Sequence, residues 1–221
     1  MHLGVIPDGN RRYAKEEGIE NRKAYEKAKE VIKDIGKKLK DQDIEEATFY
    51  LLSEKNLRRD EEELEELFSL LDEYIEEVAE RYNQEGFVLN WATTKPGALP
   101  ERLREKLRGL EEKFDEGEKR VNLLISYDGK KDILQASEKL SNNGGNFSRE
   151  DLKEYLQVGS DIDYVIRTGN NPHRESLSGF PLWNASYAEY YHIKKHFPAV
   201  TVGDVKEALQ HFRRLRRKKG K

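Results

Sequence analysis

The chain contains no cysteine, which excludes a disulfide framework, a thiolate nucleophile and a cysteine-ligated metal centre. No apolar run approaches the ~18 residues that a membrane-spanning helix needs, and no signal peptide is present, so the expectation is a cytoplasmic protein. No G-x-x-x-x-G-K-[ST] phosphate loop occurs anywhere. The five histidines lack ligand spacing: His192 and His196 stand four apart outside any clear helix, which argues against zinc. Charge of one sign is also lacking. Lysine and arginine number 40 against 43 acidic residues, a net charge of −3, which argues against a general nucleic-acid binder. Hydrophobic content is low, at 36 % with a mean hydropathy of −0.94, yet the strand-like runs are dense enough for a core. The charged fraction of 38 % exceeds the usual ~25 %. With no cysteine, that resembles thermophile usage, a trend that 12 asparagines counter.

What is present is alternation. The 221 residues could form one large or two small domains, and the absence of a linker or internal repeat predicts one, over 1–221. Apolar patterning predicts strands over 2–6, 46–52, 87–91, 121–126 and 164–166. It predicts helices over 11–17, 21–40, 60–84, 100–114, 131–141, 149–156 and 202–217. Strand and helix in turn imply an α/β fold, a mainly parallel central sheet flanked by helices on both faces. Ligands of such sheets bind beyond the carboxyl ends of the strands. Asp8, Ser53, Tyr127 and Arg167 each follow a strand directly, so four polar clusters are expected to meet at one sheet edge.

Two clusters carry phosphate chemistry. Pro7 stops the first strand, and Asp8, Gly9 and Asn10 form a turn before a helix. That geometry offers backbone N–H groups to a phosphate, and it equally suits a plain turn in which Asp or Asn caps the helix. Arg167 is followed by a polar loop and then by Arg174, Ser176 and Ser178. Guanidinium forks and hydroxyls fit a phosphate, or the segment is a surface loop with ordinary ion pairs. On the helix over 60–84, Leu64, Leu67, Phe68, Leu71, Tyr74, Ile75 and Val78 form a stripe that is core or the lining of an apolar cavity. The acidic run over 61–66 suits the helix dipole and does not converge on a metal. The seven Arg and Lys within 213–221 form a solvated helix end, or at most a peripheral contact with anionic lipid or a partner.

Together the two ends of the chain resemble the cis-prenyltransferase family, of undecaprenyl diphosphate synthase type. The opening Ile6-Pro-Asp-Gly-Asn-Arg-Arg-Tyr-Ala-Lys15 is similar to D-G-N-x-R-W-A-K. Ile166-Arg-Thr-Gly169, Arg174, Ser178-Gly-Phe-Pro-Leu-Trp183 and Tyr187-Ala-Glu189 are similar to I-R-T-G-G-E-x-R-x-S-x-F-x-x-W-Q-x-x-Y-x-E. Between them, Ser53-Glu-Lys-Asn-Leu-Arg-Arg59 resembles S-x-E-N-W-x-R-P, and Tyr127-Asp-Gly-Lys-Lys-Asp-Ile133 resembles Y-G-G-R-x-E-I. The order and spacing hold over essentially the whole chain.

The resemblance implies a homodimer with an apolar tunnel, joining isopentenyl diphosphate to an allylic diphosphate with Mg²⁺ to form a Z double bond. Carried over, Asp8 would hold Mg²⁺ and the reacting diphosphates, with Glu189 completing the metal site. Gly9, Asn10, Arg11 and Arg12 would cradle the allylic diphosphate, joined by Arg22 and Arg59, and Asn56 would sit near the reacting centre. Arg167, Arg174 and Ser178, or Ser176 in its place, would hold isopentenyl diphosphate. Leu51 precedes Ser53 by two positions and shares its face, so Leu51, Phe68 and Leu71 would narrow the tunnel and give a short to medium product. The departures cluster around these sites: Tyr25 replaces the histidine that follows the first motif, Tyr13 and Leu57 replace tryptophans, and Lys55 replaces a glutamate. The loop after Arg167 is longer and lacks Gly-Glu. An alternative is therefore a non-catalytic or weakly active partner subunit of a heterodimeric prenyltransferase, although such subunits typically lose the opening motif that is kept here. A nucleic-acid or phosphoprotein binder has only the basic tail behind it.

Overall fold

The computed structural model describes residues 1–39, 42–144, 148–170 and 176–218, with the last three traced as backbone only. Its strands are β1 (His2–Ile6), β2 (Glu46–Ser53), β3 (Phe87–Ala92), β4 (Lys119–Tyr127), β5 (Tyr164–Thr168) and β6 (Glu189–Ile193). Its helices are α1 (Asn10–Glu17), α2 (Asn21–Leu39), α3 (Glu61–Gln84), α4 (Glu101–Lys113), α5 (Gly129–Asn142), α6 (Arg149–Tyr155) and α7 (Val202–Lys218). The six strands form one sheet in the order β3-β4-β2-β1-β5-β6, and every pairing is parallel.

Parallel strands buried on both faces need apolar side chains in both directions, and the core divides accordingly. On one face Leu3, Val5, Phe49, Leu123 and Ile166 pack with residues of α2, α3, α4 and α7. On the other, Tyr50, Leu124, Tyr127 and Val165 pack around Phe180, and α5 and α6 join their own smaller cluster. Gly4 of β1 permits that second layer, because a Cβ there would stand 2.6 Å from the Phe180 ring. The sheet flanked on both faces is thus the expected architecture, with boundaries moved by a few residues.

Three features differ from the sequence reading. β2, β4 and β5 run further than expected, so Ser53, Tyr127 and Arg167 lie within their strands and not after them. A short 3₁₀ turn, Glu54–Arg58, follows β2. The strand Glu189–Ile193 adds an edge beside β5, and four of its five residues are only half-buried. No described helix is long and apolar enough to cross a membrane.

Candidate active site

β1 and β5 are neighbours, with Ile6 in register with Arg167. From β1 the chain leads to β2 on one side; from β5 it leads to β6 on the other. Such a reversal of strand order opens a crevice beyond the carboxyl ends, where α/β sheets bind ligands. The Asp8 N–H donates to Thr168 Oγ1 at 2.9 Å, and that hydroxyl donates to the Asp8 carbonyl at 2.9 Å, closing the crevice floor.

The Asp8 carboxylate bridges the crevice. One oxygen accepts from Arg12 at 2.9 Å and the other from Arg167 at 2.6 Å. Burial pushes this carboxyl up, but the hydrogen bond from Arg167 and the charges of Arg12 and Arg167 outweigh it and hold Asp8 below the ordinary aspartate value. Asp8 therefore stays ionised at neutral pH. Arg167 is only 2 % exposed. Its other terminal nitrogen donates to Ser178 Oγ at 2.8 Å and to the Ser176 carbonyl. Ser178 adopts φ 53°, a left-handed conformation that costs a non-glycine residue energy and orients this contact.

The next elements supply donors for an anion. Gly9 caps α1 at φ 107°, and no side chain caps the helix, so the first-turn amides are left for another acceptor. A Cβ at Gly9 would stand 2.4 Å from His196 Nδ1, so glycine is required twice over. Arg11 and Arg59 share Glu63, each at 3.1 Å or less, and Arg59 also donates to the Tyr25 hydroxyl at 3.2 Å. Asn56 Oδ1 accepts from the Ser53 N–H and hydroxyl at 2.9 and 2.7 Å, which commits its acceptor and leaves its amide donor. Among the described residues that line the crevice, two buried polar atoms have no hydrogen-bond partner, Asn10 Oδ1 and Arg59 Nε. Such atoms are costly unless something else fills them.

These groups line a cavity of about 350 Å³, walled by Asp8, Gly9, Asn10, Arg11, Arg12, Ser53, Asn56, Arg59, Arg167 and Ser178, with Tyr25, Tyr50 and Leu51. A β-bulge brings both Tyr50 and Leu51 to it. Tyr50 pairs with Leu124 and Leu52 with Ile125, so Leu51 is an extra residue on β2. A second cavity, of about 80 Å³ and almost wholly apolar, lies between α2 and α3. It shares Pro7, Asn10, Tyr25, Leu51 and Leu67 with the first.

Asp8 is the only carboxylate among the described lining residues of the larger cavity. No group of three or more His, Cys, Asp or Glu converges among the described residues. One carboxylate and the unpartnered Asn10 oxygen, on two residues that line the same cavity, suit a Mg²⁺ ion bound mainly through substrate phosphates and water, so the donor set fits that ion.

Most of the expected residues meet here, and some do not. Arg22 donates to Glu73 of α3 at 2.6 Å and is not among the described residues lining the cavity. Glu189 opens β6 opposite Tyr164, at the other end of β5 from the crevice, roughly 10 Å back from Arg167 at ~3.3 Å per residue. Within one chain Asp8 and Glu189 are not brought together. Arg174 lies outside the described residues. Ser176 contributes its carbonyl, and its hydroxyl lies 3.2 Å from that of Ser178. Leu51 and Leu71 line the apolar cavity; Phe68 does not, because it sits one position off the line of Leu67, Leu71, Tyr74 and Val78 and packs into the main core. Tyr127 does not reach the crevice: it is buried, with its hydroxyl donating to Asp132 and its carbonyl accepting from Tyr50. Sequence reasoning missed Glu63, although its i,i+4 spacing from Arg59 was a signal. It assigned no role to Thr168, although Thr168 stands inside the Ile166-Arg-Thr-Gly169 motif, and weighed His196 only as a zinc ligand.

Comparison with known proteins gives a consistent result. The family model described as "Putative undecaprenyl diphosphate synthase" matches residues 6–220. The chain is 30% identical to an "Isoprenyl transferase" of Campylobacter jejuni (strain RM1221), over 100% of this chain and 98% of that one. It is also 30% identical to the "Tritrans,polycis-undecaprenyl-diphosphate synthase (geranylgeranyl-diphosphate specific)" of Thermoplasma acidophilum, over 100% and 88%. A crystal structure of a probable undecaprenyl diphosphate synthase from Campylobacter jejuni superposes with a TM-score of 0.81 at 27% identity, covering 96% of this chain and 94% of the other.

Proposed function

Because the chain belongs to the undecaprenyl diphosphate synthase family, the cis-prenyltransferases, we propose that the Asp8 cavity condenses isopentenyl diphosphate with an allylic prenyl diphosphate into a Z-prenyl diphosphate. The observation that carries this reading is the junction of two cavities. One is lined by four arginines and the free amides of α1; the other, sharing five residues with it, is apolar. A prenyl diphosphate has the same division, a multiply charged head on a hydrocarbon tail.

The chemistry breaks the allylic C–O bond, with the electron pair leaving on diphosphate, while the isopentenyl double bond forms the new C–C bond and a proton is lost beside it. Negative charge grows on the leaving group, so donors fixed beforehand around it lower the barrier. Arg11, Arg12, Arg59 and the amides of Asn10 and Arg11 are such donors. Asp8 and Asn10 would hold Mg²⁺, which when bound offsets charge on the diphosphates. Arg167 orders Asp8, Ser178 and the Ser176 carbonyl in one plane of contacts, and with Arg174 would receive isopentenyl diphosphate. Asn56, with its acceptor committed to Ser53, presents a donor close to the reacting carbons.

Product length follows from the neck between the cavities. Leu51 stands there, and the apolar cavity behind it is small, which supports a short to medium product. Leu51→Ala should then lengthen it. The working form is taken as a homodimer in the cytoplasm, which sedimentation and fractionation would check. The decisive experiment incubates pure protein with isopentenyl diphosphate, Mg²⁺ and allylic diphosphates of increasing length, sizing products by mass. Incorporation that depends on the allylic partner is expected. No incorporation with any partner would overturn the reading.

A further inference from the structure

A row of charged contacts joins α2 to α3 along the outside of the apolar cavity. Arg22 pairs with Glu73 at 2.6 Å, the Tyr74 hydroxyl donates to Glu26 at 3.1 Å, and Lys29 and Lys33 both reach Glu77, at 3.0 and 3.1 Å. Lys29 differs from the rest. It is the one charged side chain among the described residues lining the apolar cavity. Its side chain is 14 % exposed, and its ammonium lies 4.3 Å from the centre of the Tyr74 ring, itself part of the lining. The stem therefore runs along apolar surface while the charge reaches out to Glu77 and over an aromatic face. A lysine in that position gives up apolar lining and gains a cross-link between the two helices.

The cavity it closes is about 80 Å³. An apolar cavity of about 150 Å³ is what holds a six-carbon benzene ring. The space between α2 and α3 is thus smaller than a long prenyl tail needs, and lengthening the tail it accepts calls for α2 and α3 to part. Of the contacts that resist their parting, the Lys29–Glu77 pair, reinforced by Lys33, is the one whose cation lines the cavity.

We propose that Lys29 and Glu77 form a salt-sensitive latch between α2 and α3 that sets how long a prenyl tail the apolar cavity accepts. The proposal rests on the diphosphate-binding reading above and adds the element that limits tail length. The pair is partly solvent-exposed, so added salt screens it and loosens the latch. Lys29→Met removes the half of the cross-link that lines the cavity and completes the apolar lining with a side chain of similar length; Glu77→Gln removes the ion pairs of both Lys29 and Lys33 to α3.

The test separates head from tail. Unreactive thiolo-diphosphate analogues with ten-carbon and twenty-carbon tails are titrated by calorimetry into wild type, Lys29→Met and Glu77→Gln. Screening of the head group affects both analogues alike, so the ratio of their affinities reports the tail. The twenty- to ten-carbon ratio is expected to rise about tenfold in Lys29→Met, equivalent to burying about two more methylene groups. It should also rise with added sodium chloride in wild type, and rise at least as far in Glu77→Gln, in which salt should then have little further effect. With isopentenyl diphosphate and Mg²⁺, products of Lys29→Met should be longer by at least one isoprene unit. A ratio that is the same in wild type and Lys29→Met, or independent of salt, overturns the latch while leaving the diphosphate site standing. Failure of both analogues to bind wild type removes the diphosphate site, and the latch with it.

Discussion

The two ends of the sheet are both polar, and they differ in whether their buried groups are satisfied. At the amino ends of the strands, His2 bonds Thr48 and Ser160 through its two ring nitrogens at 2.7 and 2.8 Å. Asn122 bonds Glu46, Thr48 and Asn90, all within 2.9 Å, and the His2 N–H donates to Asp163. This network closes on itself. At the carboxyl ends, Asn10 Oδ1 and Arg59 Nε are buried without partners, the α1 amides lack a cap, and four arginines face one cavity. A satisfied network stabilises the fold; an unsatisfied one costs stability and is kept where a ligand completes it. The same sheet thus separates a structural end from a binding end.

Breaking the binding end should give the largest effect. Asp8→Ala removes the charge that organises Arg12 and Arg167, and turnover should fall roughly 100- to 1,000-fold, the scale of a lost transition-state electrostatic group. Circular dichroism should be unchanged, and turnover within a few-fold of wild type in saturating Mg²⁺ would contradict the assignment. Arg167→Ala should raise the KM for isopentenyl diphosphate about ten- to a hundredfold, more than that for the allylic partner, as expected for a lost charge-assisted contact. Because Arg167 is buried and holds three partners, this variant should also lose about 3 kcal/mol of stability in urea unfolding. Equal changes in both KM values would remove the distinction between two substrate sites.

Breaking the structural end should do the opposite. Thr48→Val keeps shape but withdraws the hydroxyl shared by His2 and Asn122, and should cost about 1–3 kcal/mol of stability with kcat unchanged. The smallest effect is on pH dependence. Burial lowers the His2 pKa below 6.5, against the opposing pull of Glu46 and Asp163. The unfolded histidine takes a proton near 6.5 and the folded one only at lower pH. Between those values the unfolded chain binds more protons, so this contribution is full above 6.5 and is lost as pH falls below it. The stability difference between wild type and His2→Gln should therefore shrink on going from neutral to mildly acid buffer. A difference independent of pH would mean that His2 does not titrate in this way.

The same contrast explains what could be read from the sequence. Strands with continuous apolar runs and helices with clear stripes were legible, and so was the gathering of Asp8, Ser53 and Arg167 at one sheet edge, because chain order alone places strand ends there. β6 was not, because as an edge strand it is half-buried and carries Tyr and His without alternation. The bulge at Leu51 breaks the strict alternation used to place it, yet leaves it at the cavity because the extra residue turns the chain locally. Phe68 was misplaced since a stripe two residues wide does not say which edge faces the cavity and which the core. Glu189 shows the limit of motif transfer: the residue type is there, but chain order puts it at the opposite end of the strand from Asp8.

The division between the two ends is tested most directly by thermal unfolding with and without geranyl diphosphate and Mg²⁺, in wild type, Asn10→Ala and Thr48→Val. Asn10→Ala deletes an unpartnered oxygen at the binding end; Thr48→Val opens the closed network. The account predicts that Thr48→Val lowers the Tm of the free protein and keeps the full ligand-induced rise, while Asn10→Ala keeps the Tm and loses most of that rise. A ligand-induced rise that survives in Asn10→Ala and disappears in Thr48→Val would contradict it.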